Sequence, residues 1–264
     1  MLSSNLVDKL HQNIHSEDGL LAVKYLTAKR GISPETINAY KFGWSNDDID
    51  GDKRWERRII YPLIDDYGSV VALSGRLITY DYSDKIGNKY ILEEGTNRII
   101  QWTSADGNEK KQYHKPKFHS SFQKSTFLYG MDIAKKHIQE ANFVIIVEGQ
   151  LDVASVYQSG YKNVVGLLGS ALTESHISKI ARYCDLAVFM FDADDGGYKA
   201  LEKAKKKMKF SYDTIILPTG YDPNGFIIEH GIGPIKERID KILSSSNMSF
   251  EEKQKMELKE LLTK

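Results

Sequence analysis

The spacing of hydrophobic positions changes along the chain and divides it into regions. Residues 1–41 predict helices in LVDKLHQNI, LLAVKYLTAKRG and PETINAYKFG, with Gly31 as a C-cap and Ser33 and Pro34 as N-cap and first helical residue. Two β-type runs follow, RIIYPLI and SVVALSGRLI, joined by the turn sequence DDYG. Residues 78–115 mix tyrosine and isoleucine with turn residues, which predicts an irregular insertion with another hairpin.

From residue 142 onward, four short apolar runs alternate with helical stretches. The runs are FVIIVEG, NVVGLLG, LAVFMFD and YDTIILP, and the alternation predicts a parallel sheet covered on both faces. We therefore predict an α+β N-terminal subdomain over residues 1–141. An α/β domain with a central, mostly parallel sheet flanked by helices would occupy residues 142–231. A charged helical tail without evident packing partners would form residues 232–264.

Composition narrows the function only a little. The 264 residues include 36 basic and 36 acidic side chains, so net charge does not favour a nucleic-acid partner, although a local groove could still be basic. No apolar run reaches the roughly 18 residues that cross a bilayer, and the N-terminus lacks a signal peptide's apolar core. We expect a cytoplasmic protein without a membrane role. Cys184 is the only cysteine, which excludes an intrachain disulfide and a cysteine-rich zinc site.

Acidic residues follow several predicted strands. Glu148 follows FVIIV, Asp192 and Asp194 follow LAVFMF, Asp222 lies beyond YDTIILP, and Asp152 comes one helical turn after Glu148. Any one of them alone is well explained as a helix N-cap or a loop residue. Several at one sheet edge repel by about 4 kcal/mol per pair at 4 Å and an effective dielectric of 20. Such a cluster calls for a cation or a raised pKa, and its hard oxygen donors favour Mg²⁺ or Mn²⁺. Two such ions are the usual apparatus of phosphoryl transfer.

The order and spacing of these motifs are specific. VIIVEGQLDVASVYQSGY, NVVGLLGSALTESHI and VFMFDADDGGYKALEKA resemble the successive signatures of the Toprim domain that DnaG-type primases and topoisomerases share, over residues 143–231. The resemblance implies that Glu148, Asp192 and Asp194 are the catalytic acids, with Glu148 as a metal ligand or proton-transfer group. It also implies that Asp152 and Asp222 complete the metal-binding cluster.

Upstream segments narrow the resemblance to the RNA-polymerase core of DnaG-type bacterial or phage primases. They are YLTAKRGISPETINAYKFGWS, RRIIYPLIDDYGSVVALSGRLI and PKFHSSFQKSTFLYGMDIAKKHI, so the match covers most of residues 20–231. In this family the matching basic residues line the nucleotide and template groove, and an aromatic residue there can stack on a base. An alternative alignment matches the family's Pro-Lys-Tyr element to Lys89 and Tyr90 rather than to Lys117 and Phe118. The implied nucleotide- and template-binding residues are Arg58, Arg76, Lys117, Phe118 and Lys124.

The resemblance implies a DNA primase catalytic core, which is a nucleotidyltransferase that synthesises short RNA primers from NTPs on single-stranded DNA. It implies two or more Mg²⁺ or Mn²⁺ ions and no zinc in this chain, in a bacterial cell or a phage-infected host. The family's zinc-binding module and helicase-binding domain have no counterpart in this sequence. A separate zinc-binding module and a replicative helicase are therefore candidate partners.

Two alternatives stay open at this point. The first is a Toprim nuclease, which would use the same ions to activate water. The second is a non-catalytic nucleic-acid-binding subunit of a replication complex. A topoisomerase fragment is disfavoured because no strand-passage domain accompanies the motifs.

Overall fold

The computed structural model describes residues 3–96, 98–111, 122–169 and 171–246. Within those ranges, no helix combines the length and the apolar character that crossing a membrane requires. Nine α-helices and eleven strands are present in the described ranges.

The N-terminal region begins with three helices and a three-stranded antiparallel sheet. Gly31 has φ +63°, and Ser33 Oγ accepts a hydrogen bond from the backbone of Thr36 as the predicted N-cap. The second helix passes into one π-helical turn, a form found often at functional sites. The elements are α1 Ser4–Ile14, α2 Leu20–Lys24 continued by the π-turn Tyr25–Lys29, α3 Pro34–Ala39, β1 Gly43–Ser45, β2 Arg58–Ile64 and β3 Val70–Leu77, with sheet order β1-β2-β3.

The insertion is more regular than the sequence pattern predicts. Four antiparallel strands form a meander in the order β4-β5-β6-β7, and Asp84 and Gly107 belong to its turns. The predicted hairpin is present, but the prediction that the insertion is irregular is wrong for the described part of residues 78–115. Residues 112–115 lie outside that part. The strands are β4 Thr79–Ser83, β5 Lys89–Glu93, β6 Ile99–Thr103 and β7 Glu109–Lys111.

The second half forms a four-stranded parallel sheet flanked by helices. Its order is β11-β10-β8-β9, and both faces are covered by buried apolar side chains. The predicted fold class, an α+β N-terminal part followed by an α/β part, is confirmed. The elements are α4 Met131–Ala141, β8 Phe143–Val147, α5 Gln150–Gln158, β9 Val164–Gly166, α6 Glu174–Ile180, β10 Leu186–Phe189, α7 Asp195–Lys205, β11 Ser211–Thr214, α8 Pro223–His230 and α9 Gly233–Ser246.

One apolar core joins the two halves of the chain. It contains Tyr25 and Trp44 of the N-terminal region together with Ile145 and Val188 of the parallel sheet. Helix α9 packs in the same core through three buried isoleucines at spacings of four and three, namely Ile235, Ile239 and Ile242. The prediction of a tail without packing partners is therefore wrong for residues 233–246, and residues 247–264 lie outside the described part. The three-part division at residues 141 and 231 stays a prediction.

Candidate active site

Parallel pairing brings the first two acids together. Strands β8 and β10 are neighbours with Ile146 opposite Phe189, so the residues that follow them emerge at the same sheet edge. Glu148 is the first residue after β8, and Asp192 comes three residues after the end of β10. The backbone N–H of Asp192 donates to Oε1 of Glu148 over 3.2 Å. The two acids that the sequence pattern singled out are therefore in direct contact.

Asp192 is the most strongly perturbed acid at this edge. Desolvation, and then the negative charges of Asp152, Glu148, Asp222 and Asp194, raise the pKa of Asp192 to about 7. No hydrogen-bond partner from the described ranges reaches its buried Oδ1. An unpartnered buried carboxylate oxygen is costly and is unusual in folded proteins. This oxygen is therefore available as a ligand for a cation.

Glu148 is perturbed in the same direction. Desolvation raises its pKa, the charge of Asp194 adds to the shift, and the hydrogen bond from the Asp192 backbone opposes it. The charges of Glu148 and Asp194 also act on Asp192. These three side chains therefore form one electrostatic unit.

Asp194 and Asp222 are both helix N-caps beside this unit. Oδ1 of Asp194 accepts from the backbone of Gly197 over 2.7 Å at the start of α7, and Oδ1 of Asp222 accepts from Gly225 over 2.5 Å at the start of α8. The loops that carry them are joined by backbone bonds of Ala193 to the segment before α8. The fold thus brings Asp222, which follows β11, next to the acids that follow β8 and β10. Asp222 lines the cleft described below, whereas Asp194 is not among its described lining residues.

Asp152 is fully buried, and both of its carboxylate oxygens accept backbone hydrogen bonds. Oδ2 accepts from Gly149 over 2.9 Å, and Oδ1 accepts from Asn224 over 3.1 Å. Desolvation, followed by the charge of Asp222, raises the pKa of Asp152 to about 6. These contacts give Asp152 a positioning role, because it holds the start of α5 against the start of α8. Its predicted role as a metal ligand stays a prediction.

The basic side of the site comes from β2, β3 and the end of the π-helical turn. Arg58 is 1% exposed and donates from Nη1 to the carbonyl oxygen of Gly75 over 3.2 Å. A Cβ at Gly75 would lie 2.8 Å from Cδ of Arg58 and 3.0 Å from the ring of Trp55, so this position needs glycine. Arg76 follows directly, at the position that the sequence resemblance assigns to a basic residue.

Arg30 and Arg76 both lie over the ring of Tyr25. Their guanidinium carbons are 5.4 Å and 6.0 Å from the ring centroid, and Nε of Arg30 also donates to the Tyr25 hydroxyl over 2.8 Å. Arg30 was not predicted from the sequence. Its only local signal is its place at the end of a helix before Gly31, which many surface arginines share.

The acids and the arginines line one cleft of about 550 Å³. Its size falls within the range of small-molecule and cofactor sites. Two sets of opposite charge therefore meet in one space, as a phosphate-bearing substrate with bound cations would require. The charged lining residues in the described part are Glu148, Asp152, Asp192, Asp222, Arg30, Arg58 and Arg76.

Lys124 lies beside the cleft rather than in its described lining. Nζ of Lys124 donates to the carbonyl oxygen of Leu168 over 3.1 Å, next to Gly169 in the cleft lining. Burial lowers the pKa of Lys124. Lys117 and Phe118 fall outside the described residues. Sequence reasoning also missed Asn224 and Gln101, two uncharged lining residues.

The carboxylate set fits Mg²⁺ or Mn²⁺ as open ligands rather than as a closed cage. Within the described ranges, no three His, Cys, Asp or Glu side chains converge closely enough to hold one ion by themselves. Mg²⁺ commonly takes only one or two carboxylates and completes its shell with water and substrate phosphates. The unpartnered Oδ1 of Asp192 beside Glu148 suits that mode.

Known proteins carry the same motifs. A Toprim-like family model matches residues 145–227. The DNA primase of Aquifex aeolicus (strain VF5) is 30% identical over 198 residues, which make up 74% of this chain and 34% of that primase. The chain spans well under half the length of the curated relatives it matches first.

Two solved structures share the fold. The zinc-binding and RNA polymerase domains of the Aquifex aeolicus primase align with a TM-score of 0.65 at 24% identity, over 90% of this chain and 59% of that chain. A DnaG primase catalytic domain bound to single-stranded DNA aligns with a TM-score of 0.66 at 21% identity, over 90% of this chain and 78% of that chain. The chain therefore carries a Toprim domain and is a homologue of the DnaG-type DNA primases, with the fold of their catalytic core.

Proposed function

We propose that this chain is the catalytic core of a DNA primase, which joins NTPs into short RNA primers on a single-stranded DNA template. The observation that carries the proposal is that Glu148, Asp192 and Asp222 line the same cleft as Arg30 and Arg76. The homology of the chain to DNA primases favours synthesis of a nucleic-acid strand over its cleavage. The ssDNA-bound DnaG catalytic domain that shares this fold supports single-stranded DNA as the template.

Glu148, Asp192 and Asp194 would hold Mg²⁺ or Mn²⁺, with Asp222 close by and Asp152 behind them. Bound ions would supply Lewis acidity and neutralise the negative charge of the reacting phosphates. The protein's part is to keep the carboxylates in register. The Asp192 backbone bond to Glu148 fixes one pair, and the N-cap bond of Asp194 fixes the third member. Preorganised charges of this kind need no rearrangement when the substrate reacts.

The arginines would bind the triphosphate and the template backbone. Arg30 and Arg76 are held on the ring of Tyr25, which restricts both guanidinium groups and lowers the conformational entropy lost on binding. Guanidinium groups bind phosphate oxygens in a bidentate manner. Arg58 is buried and would act mainly by supporting β3 under Arg76. Lys124, which lies beside the cleft, would contact the template, and the family resemblance suggests the same role for Lys117 and Phe118.

The proposal includes partners that the family resemblance suggests. A zinc-binding module would help to select the start site, as zinc-binding and polymerase domains occur together in the Aquifex aeolicus primase structure. A replicative helicase is the second candidate. The reaction would take place in the cytoplasm of a bacterial or phage-infected cell, where template and NTPs are present.

The decisive test incubates the pure chain with labelled NTPs, single-stranded DNA and Mg²⁺ or Mn²⁺, with and without a zinc-binding module. New oligoribonucleotides from the wild type, and none from Asp192→Ala at unchanged thermal stability, are expected. Asp213→Ala is the matched control, since Asp213 is an exposed acid on β11 of the same sheet.

Other products would contradict the proposal. Degradation of the DNA in the absence of NTPs would identify a nuclease. Template binding without synthesis, unaffected by Asp192→Ala, would identify a non-catalytic replication subunit.

A further inference from the structure

One wall of the cleft is built by the inserted sheet and differs in chemistry from the rest. The described residues that the insertion contributes are Thr79 of β4, Ile91 of β5, and Ile100 and Gln101 of β6. None of these four side chains is charged, whereas the remaining lining includes four carboxylates and three arginines. We call these four residues the uncharged wall. The cleft therefore offers a ligand both charged groups and an uncharged surface on the inserted sheet.

Strand register explains why these side chains share one face. Ile91 is the Cα partner of Gln101, so the two side chains project from the same face of the sheet. The register slips between Ile91 and Leu92, where Leu92 pairs with Ile99. Ile100 is thus the extra residue of a β-bulge, a feature that redirects side chains. It lines the cleft beside Gln101 and is 5% exposed.

The uncharged wall is fixed in place by a buried acid on the same strand as Ile91. Glu93 is 2% exposed and pairs with Arg57 over 3.2 Å and with Arg98 over 2.8 Å. Arg57 lies just before β2, which runs beneath the arginine side of the cleft. Nη2 of Arg57 also donates to the carbonyl oxygen of Glu94 over 3.3 Å. The inserted sheet is thus held against the N-terminal region by the contacts of Arg57.

Branched aliphatic side chains with one primary amide suit a flat heteroaromatic ring. Isoleucines supply an apolar surface for the ring face, and a glutamine amide supplies a donor and an acceptor for its edge. A nucleotide combines such a ring with a polyphosphate, and the arginines and carboxylates across the cleft suit the polyphosphate.

We propose that the uncharged wall is a nucleobase subsite, in which Ile91 and Ile100 contact the ring and Gln101 hydrogen-bonds its edge. The inference rests on the proposed function, since it assigns the base end of a substrate whose phosphates meet the acids and arginines. The base belongs to an NTP in the cleft or to a strand of nucleic acid that passes through it. Both sources present the same chemistry to Gln101.

The test measures binding without turnover, by calorimetry in Mg²⁺. The three ligands are ATP, inorganic tripolyphosphate and a single-stranded oligodeoxynucleotide. Gln101→Leu keeps the side-chain volume and loses the amide, and Gln101→Ala removes both. Thr103→Ala is the matched control, because Thr103 lies on the same strand and outside the described lining of the cleft.

We expect both Gln101 variants to bind ATP about tenfold more weakly, as loss of a ligand hydrogen bond in a partly buried site requires. Tripolyphosphate affinity should stay at the wild-type value, and Thr103→Ala should match the wild type for all ligands. Weakened oligodeoxynucleotide binding with unchanged ATP binding also supports the subsite and assigns the base to the strand.

Three results would overturn the subsite. They are unchanged affinities in both Gln101 variants, an equal loss for ATP and tripolyphosphate, and a wild-type chain that binds neither ATP nor the oligodeoxynucleotide. If ATP binds as expected but no primer is ever made, the primase proposal fails while the nucleobase subsite stands.

Discussion

The backbone N–H of Asp192 donates to Oε1 of Glu148 over 3.2 Å, and this bond joins two acids 44 positions apart in the chain. The charge of Glu148 repels the Asp192 carboxylate, whereas the hydrogen bond stabilises the loop that carries Asp192. The two effects can be separated by substitution, because an amide oxygen can accept the same hydrogen bond without the charge.

Glu148→Gln should therefore keep the fold and lose activity. The amide oxygen retains the bond to Asp192, and removal of one partly buried charge should leave the midpoint of thermal unfolding equal or higher. Primer synthesis in Mg²⁺ should fall by about 100-fold or more, because a proposed carboxylate ligand of the divalent ions is lost. Glu174→Gln, at an exposed acid on α6, should leave both the unfolding midpoint and primer synthesis at the wild-type values. Wild-type synthesis by Glu148→Gln would remove Glu148 from the site.

Gly197→Ala tests how tightly α7 is set against the acids. A Cβ at this position would overlap the carbonyl oxygen of Asp192 and lie 3.0 Å from Oε1 of Glu148. We expect a loss of about 1–3 kcal/mol in the free energy of unfolding, together with loss of Mg²⁺-dependent synthesis. Gly233→Ala is the matched control, since Gly233 also lies in the first turn of a helix and a Cβ there would have no heavy atom within 4 Å in the described structure. Equal behaviour of the two variants in urea denaturation would contradict the packing argument.

Asp132 should make stability depend on pH. Desolvation in the first turn of α4 raises the pKa of Asp132 to about 6 from an ordinary value of 3.8. Between these values the folded chain holds a proton that the unfolded chain releases, so stability falls as pH rises through this range and stays lower above it.

Asp132→Asn removes that loss. The variant should gain stability relative to the wild type, on the order of 1–2 kcal/mol at pH 7.5, and the gain should vanish near pH 4. Urea denaturation at both pH values measures the difference. A difference that does not change with pH would show that Asp132 titrates alike in the folded and unfolded chains.

Glu93→Gln should loosen the inserted sheet. The substitution leaves Arg57 and Arg98 without their shared carboxylate, and because both arginines are partly exposed we expect a loss of about 1–3 kcal/mol. Hydrogen exchange of the β5 and β6 amides should quicken more than exchange of the parallel sheet. Glu202→Gln breaks an exposed pair with Lys205 and should cost less than about 0.5 kcal/mol. Uniform exchange rates across both sheets would contradict a local role for Glu93.

Several features were predictable because their causes are local. The N-cap at Ser33 and the left-handed Gly31 follow from the preferences of those residues, and the parallel sheet follows from alternating apolar runs. The acids at the strand ends were also predictable, because each lies next to its strand in sequence. Their meeting then follows from the shared direction of the strands.

Other features depend on tertiary contacts that no local pattern encodes. Arg30 follows a π-helical turn and Gln101 lies next to a β-bulge, and the local sequence pattern predicts neither feature. Asp152 resembles a free metal ligand in the motif, yet backbone groups from two separate segments occupy its oxygens. The packing of α9 did have a signal, since Ile235, Ile239 and Ile242 recur at helical spacing.

Asn224 limits how the cleft can move. Its backbone donates to Asp152, and its Nδ2 donates to the carbonyl oxygen of Arg30 over 2.8 Å and to Ser155 over 2.6 Å. The segment bearing the arginine is thus tied to the helix that begins two residues after Glu148. The Arg30 segment cannot move away from helix α5 without breaking these hydrogen bonds. We therefore expect the distance between the Arg30 segment and helix α5 to stay the same when a ligand binds.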